Sequence, residues 1–120
     1  MPLDKQLTGM RGVYLVAAEL SRLGFIASPT SRSAIGADIL ATDQRCLRTY
    51  SVQVKTNASR GNFWLVGEKT RGRASQSHIY VLVHLRRVRD AEKVEFYVVP
   101  SRVVARKTKT SERRTGVHSV

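Results

Sequence analysis

Residues 36–56 read GADILATDQRCLRTYSVQVKT. The stretch divides into two strands, ADILAT and TYSVQVKT, joined by the polar connection DQRCLR. Side chains alternate across a strand, so Tyr50, Val52 and Val54 share one face, and Ser51, Gln53 and Lys55 share the other. A hairpin lays the first strand beside the second and brings Asp38 near Gln53 and Lys55. Phosphodiester hydrolysis is one reason to place an acid, an amide and an ammonium on neighbouring apolar strands. A carboxylate holds Mg²⁺, which prefers oxygen ligands and keeps several waters. The Gln53 side-chain oxygen, or a nearby backbone carbonyl, adds a neutral ligand, and Lys55 offsets charge on the phosphate. The competing reading is structural: a solvated QVK face, with Asp38 a turn acid hydrogen-bonded to backbone. The residues alone leave both open.

Upstream, TGMRGVYLVAAELSRLGF predicts a helix starting at Thr8 or Gly9, with Gly24 just past its end. Val13, Val16, Ala17, Leu20 and Leu23 form its apolar stripe. Phe25 to Ser28 reads as a short strand closed by Pro29, and SRSAIG as a loop. Downstream, NFWLV, HIYVLVHL and VEFYVV read as strands. GEKTRGRASQS is polar and basic, and RRVRDAEK is expected to break the strand pattern. Pro100 ends the last strand, Ser101 is placed to cap a short helix, and the terminal TSERRTGVHSV reads as a frayed tail. The expected fold is α+β: an N-terminal helix packed on a mixed sheet of about five strands, then a short C-terminal helix. The expected organisation is one domain over residues 1–105 and a basic tail over 106–120.

The 120 residues carry 21 Lys and Arg against 9 Asp and Glu, a net charge of +12. Such a balance points to a polyanionic partner: nucleic acid first, and an anionic membrane surface second. Cys46 is the one cysteine, which excludes an intrachain disulfide and a thiolate metal cage, and fits a reducing cytoplasm. No run of 18 apolar residues predicts a membrane span, and MPLDKQLTGMRG lacks the order of a signal peptide.

GADILAT followed by YSVQVKT resembles the PD-(D/E)XK nuclease superfamily, the fold of many restriction enzymes and Holliday-junction resolvases. GVYLVAAELSRLGFIAS, QVKTN with FWLV, and FYVVPS extend the resemblance over roughly residues 9–105. It implies a restriction-endonuclease-like core and a Mg²⁺- or Mn²⁺-dependent DNA endonuclease. Asp38 and Gln53 become metal ligands, and Lys55 the catalytic cation. Gln53 stands where the motif usually has an acid, a form similar to the QxK of Mrr-like restriction endonucleases. Val13 stands where such proteins carry a glutamate after glycine. Glu19 lies six residues further on, about 240° round the helix, and does not substitute. By the same analogy a homodimer is expected. The alternatives are a catalytically reduced nucleic-acid-binding module on this fold and a basic partner-binding protein.

Other residues have two readings each. Arg32 and Ser33 precede Asp38 in a loop suited to a phosphate, as is the basic run with Lys69, Arg71 and Arg73. Either group is also an ordinary solvated loop. Phe63 and Trp64 are core residues before they are base-stacking ones, and His78 and His84 read as strand-edge residues without zinc spacing. The segment 102–114 holds six Lys and Arg, either a binding arm or a solvated tail.

Overall fold

Asp4 opens the first helix, α1 (Lys5–Arg22): its Oδ1 accepts the Gln6 N–H at 2.7 Å. The start lies a turn before Thr8, because a good capping acid sits upstream of the apolar stripe. Gly24 ends the helix at φ +95°, the left-handed conformation expected of a glycine at that place. Leu23 drops out of the stripe, since it lies past the last helical residue and is exposed. The computed structural model describes residues 4–31, 37–59, 61, 63–66, 75–107, 109–110 and 115–118.

The strands are β1 (Ile26–Pro29), β2 (Ile39–Thr42), β3 (Thr49–Asn57), β4 (Phe63–Val66), β5 (His78–Val88) and β6 (Ala91–Pro100), followed by α2 (Ser101–Lys107), β7 (Lys109–Thr110) and β8 (Thr115–His118). The main sheet has the order β1-β2-β3-β5-β6. β3 and β5 run parallel, and the other neighbours are antiparallel. The mixed five-stranded sheet, N-terminal helix and short C-terminal helix match the expectation. The sheet is buried on both faces. On the α1 side, Val16 of the helix packs with Ile39, Ala41, Val52, Val54, Val81, Val83 and Leu85 of the sheet. On the opposite face Trp64, Tyr80, Leu82 and Val99 pack with Val104 of α2. β5 supplies both cores, which explains its unbroken apolar run.

Three features differ from expectation. RRVRDAEK does not break the pairing. β5 continues to Val88 and β6 starts at Ala91, with Val88 opposite Ala91. The two residues between, Arg89 and Asp90, have φ 51° and 64°, as a two-residue primed turn requires. The ladder carries the polar residues outward, where Arg86 Nη1 donates to Glu95 Oε1 at 3.2 Å. His78 and His84 are buried rather than at an edge, because β5 lies between β3 and β6. His78 Nδ1 meets Ser51 Oγ at 2.7 Å, and His84 Nε2 meets the Ser59 carbonyl at 2.9 Å. Ser101 is the first residue of α2, and its Oγ bonds the Ser75 N–H and C=O at 2.9 and 2.8 Å, tying α2 to the approach to β5. Beyond α2, β8 pairs with β4 and β7 in a second, three-stranded sheet.

Candidate active site

β2 is shorter than β3. Its first residue, Ile39, pairs with Val52, so β3 from Gln53 onward has no β2 partner. Asp38 fills the start of this gap. Its N–H donates to the Val52 carbonyl at 2.8 Å, and its carboxylate Oδ2 accepts the Val54 N–H at 2.8 Å. Residues two apart on a strand present their peptide groups to the same side. The Val54 carbonyl therefore points to the edge that β2 has left, beside the carboxylate. Thr30 holds the other flank. Its N–H donates to the Asp38 carbonyl at 2.9 Å, and its Oγ1 donates to the Ala37 carbonyl at 2.6 Å. Asp38 is thus fixed between the end of β1 and the middle of β3.

The carboxylate borders a groove of about 350 Å³ between α1 and this edge. Lys5, Met10, Val13 and Tyr14 line the helix side, and Thr30 and Val54 lie opposite. Val13 lines the same groove as Asp38, so the helix presents an apolar side chain there. Glu19 points elsewhere and is ion-paired with Arg22. That hydrogen bond holds the Glu19 carboxyl below its usual range.

Gln53 and Lys55 are half-buried and alternate with Val52 and Val54. Their register partners, Tyr80 and Leu82, belong to the α2-side core, so both project from that face. Gln53 and Lys55 thus lie side by side, and Asp38 meets the Val54 peptide that separates them in sequence, but neither side chain is among the described residues that line the groove beside Asp38. Among the described residues, no hydrogen bond or ion pair joins Asp38 to either side chain. Arg32, Ser33, Lys69, Arg71 and Arg73 lie outside the described residues. Trp64 is 1% exposed and donates from Nε1 to the Val83 carbonyl at 3.1 Å, a core role.

Among the described residues no three His, Cys, Asp or Glu side chains cluster as a metal cage. The oxygen set at the edge is one carboxylate with a neutral carbonyl beside it. This sparse, hard donor set fits Mg²⁺, which retains waters and draws on substrate phosphate oxygens. It lacks the histidine nitrogens and cysteine sulfurs that dominate zinc sites. The Val54 peptide and Thr30 were not singled out from sequence. The one signal for the peptide is length: ADILAT is shorter than TYSVQVKT, which leaves part of the longer strand without a partner.

The helix and the mixed sheet form a restriction-endonuclease-like α+β fold. Two solved nucleases share it. A bacterial homing endonuclease superposes with a TM-score of 0.59 at 19% identity, covering 98% of this chain and 75% of that one. The Hjc Holliday junction resolvase of Archaeoglobus fulgidus, an archaeal hyperthermophile, gives 0.51 at 18% identity, covering 88% of this chain and 86% of that one. No protein-family model and no curated protein matches the sequence. Among the described residues, no helix is long and apolar enough to cross a membrane.

Proposed function

We propose that the chain is a metal-dependent nuclease that hydrolyses phosphodiester bonds in DNA at Asp38. The observation that supports this reading is the Asp38 carboxylate, held at 2.8 Å from the Val54 amide on an open strand edge. Asp38 would hold Mg²⁺ or Mn²⁺, with the Gln53 side-chain oxygen or the Val54 carbonyl as a neutral second ligand. When bound, the cation supplies an acidified water and a counter-charge for the phosphate. The Val54 N–H orients the carboxylate, and Thr30 holds the backbone that carries it. Lys55 places its ammonium against the charge that develops on the phosphate. Arg32, Ser33, Lys69, Arg71 and Arg73 are assigned to backbone phosphates further along the strand. A homodimer working in the cytoplasm is the assembly and compartment this reading expects.

A catalytically reduced DNA-binding module is the second reading. Val13 in the groove favours it, because Asp38 is then the only acid among the described residues that line the groove. Supercoiled plasmid incubated with Mg²⁺ or Mn²⁺ separates the two. The nuclease nicks or linearises it, and Lys55→Ala removes the activity while duplex binding persists. Duplex binding with no cleavage by the unaltered protein in either metal leaves the binding module.

A further inference from the structure

Gly9 sits inside α1, where glycine is a poor helix former. No packing requires it: a Cβ built there meets nothing within 4 Å. A residue that breaks a local rule with no structural gain points to a functional demand for space. That space is the groove beside Asp38, which Gly9 lines together with Lys5, Met10, Val13 and Tyr14 at the i, i+4 and i+3 spacings of one helix face. Tyr14 is 59% exposed on its rim, and no ring contact engages it among the described residues. An apolar floor, an exposed aromatic ring and a cationic mouth at Lys5 run straight to the acid of the proposed site.

We propose that this groove receives a single unstacked nucleobase, stacked on Tyr14 with Gly9 leaving it room, from a nucleic-acid strand whose phosphates meet Lys5. The preferred ligand then carries an unpaired nucleotide rather than a continuous duplex. The volume supports one nucleoside: about 350 Å³ is at the small end of ligand sites and has no room for a base pair with its two backbones. Charge supports a nucleic acid over an apolar ligand, since the chain is +12 and Lys5 stands at the entrance. Tyrosine is suited to the task because every base offers a π-face, so stacking tolerates any sequence. The inference rests on the chain being a nucleic-acid-binding protein, and not on metal chemistry.

The test is binding in EDTA, so that cleavage plays no part. The probes are a DNA duplex with one unpaired 2-aminopurine nucleotide and the same duplex fully paired. Tyr14→Ala is expected to weaken binding to the unpaired probe by roughly 5- to 150-fold, the span of base–aromatic stacking. Binding to the paired probe stays unchanged, and Tyr14→Phe restores the preference. Gly9→Leu fills the groove. It is expected to raise the melting temperature, as a better helix former, while losing affinity for the unpaired probe. The 2-aminopurine fluorescence falls on binding the unaltered protein and stays high with Tyr14→Ala. Equal affinity of Tyr14→Ala and the unaltered protein for the unpaired probe overturns the inference, as does an equal loss on both probes. A protein that binds neither probe overturns the nucleic-acid reading itself, and the inference with it.

Discussion

Thr56 and Gly12 meet where α1 crosses β3. A Cβ on residue 12 would stand 1.8 Å from the Thr56 Oγ1, so only glycine lets the helix lie this close. Gly12→Ala is therefore expected to cost about 1–3 kcal/mol, the usual range for overpacking, in a denaturant titration. Replacing Thr56 by alanine in that background should recover part of the loss. The Thr56 hydroxyl is buried and has no hydrogen-bond partner. Thr56→Val keeps its shape and removes an unpaired polar group, so stability should hold or rise by about 1 kcal/mol. At Asp38 the same logic runs the other way. Its carboxylate takes up the Val54 N–H, and Asp38→Ala strands that donor, whereas Asp38→Asn keeps an oxygen in place. The conservative variant is therefore the clean probe of chemistry.

At the scale of elements, α1 is tied to β6 as well as to β3. Arg11 forks onto both carboxylate oxygens of Glu92, with Nη1 to Oε2 at 2.9 Å. The hydrogen bond from Arg11 holds the Glu92 carboxyl below its ordinary value of 4.5. A carboxyl with a lowered folded-state pKa stabilises the fold above its ordinary value. That contribution disappears as pH falls through the lowered one. Both side chains are more than a third exposed, so solvent and salt screen the pair. Arg11→Ala should cost about 0.5 kcal/mol near neutral pH, converge with the unaltered protein in acid, and cost less at high salt. Sequence showed most of these elements, because α1 and β3 are strongly periodic. What it hid was set by long-range pairing. Arg86 and Arg87 look like a break until the β5–β6 ladder carries them, and β8 acquires strand character only opposite β4. Asp38 and the QVK face were visible as a strand pattern. The Val54 peptide was not, since it depends on where β2 ends relative to β3.

Over the whole molecule, charge is distributed so that several acids are already engaged. Glu19, Glu92 and Glu95 pair with Arg22, Arg11 and Arg86, and Asp4 caps α1. Among the described residues, Lys5, Lys55, Arg102 and Arg106 are some of the cations that form no ion pair, which the proposed function assigns to DNA phosphates. DNA affinity should therefore fall by roughly 100-fold between 50 and 200 mM salt, as expected for about four neutralised phosphates. A flat salt response would mean that the excess of +12 is not spent on a phosphate backbone. The fold shared with two nucleases and the strand-edge acid lead to one central claim, that Asp38 supports phosphodiester hydrolysis. The most direct measurement is the rate at which supercoiled plasmid is nicked in Mg²⁺ or Mn²⁺ by the unaltered protein and by Asp38→Asn at matched stability. The account predicts cleavage by the former and at least a 100-fold lower rate for the latter. Equal rates for the two proteins, or an intact plasmid with the unaltered protein in both metals, would contradict it.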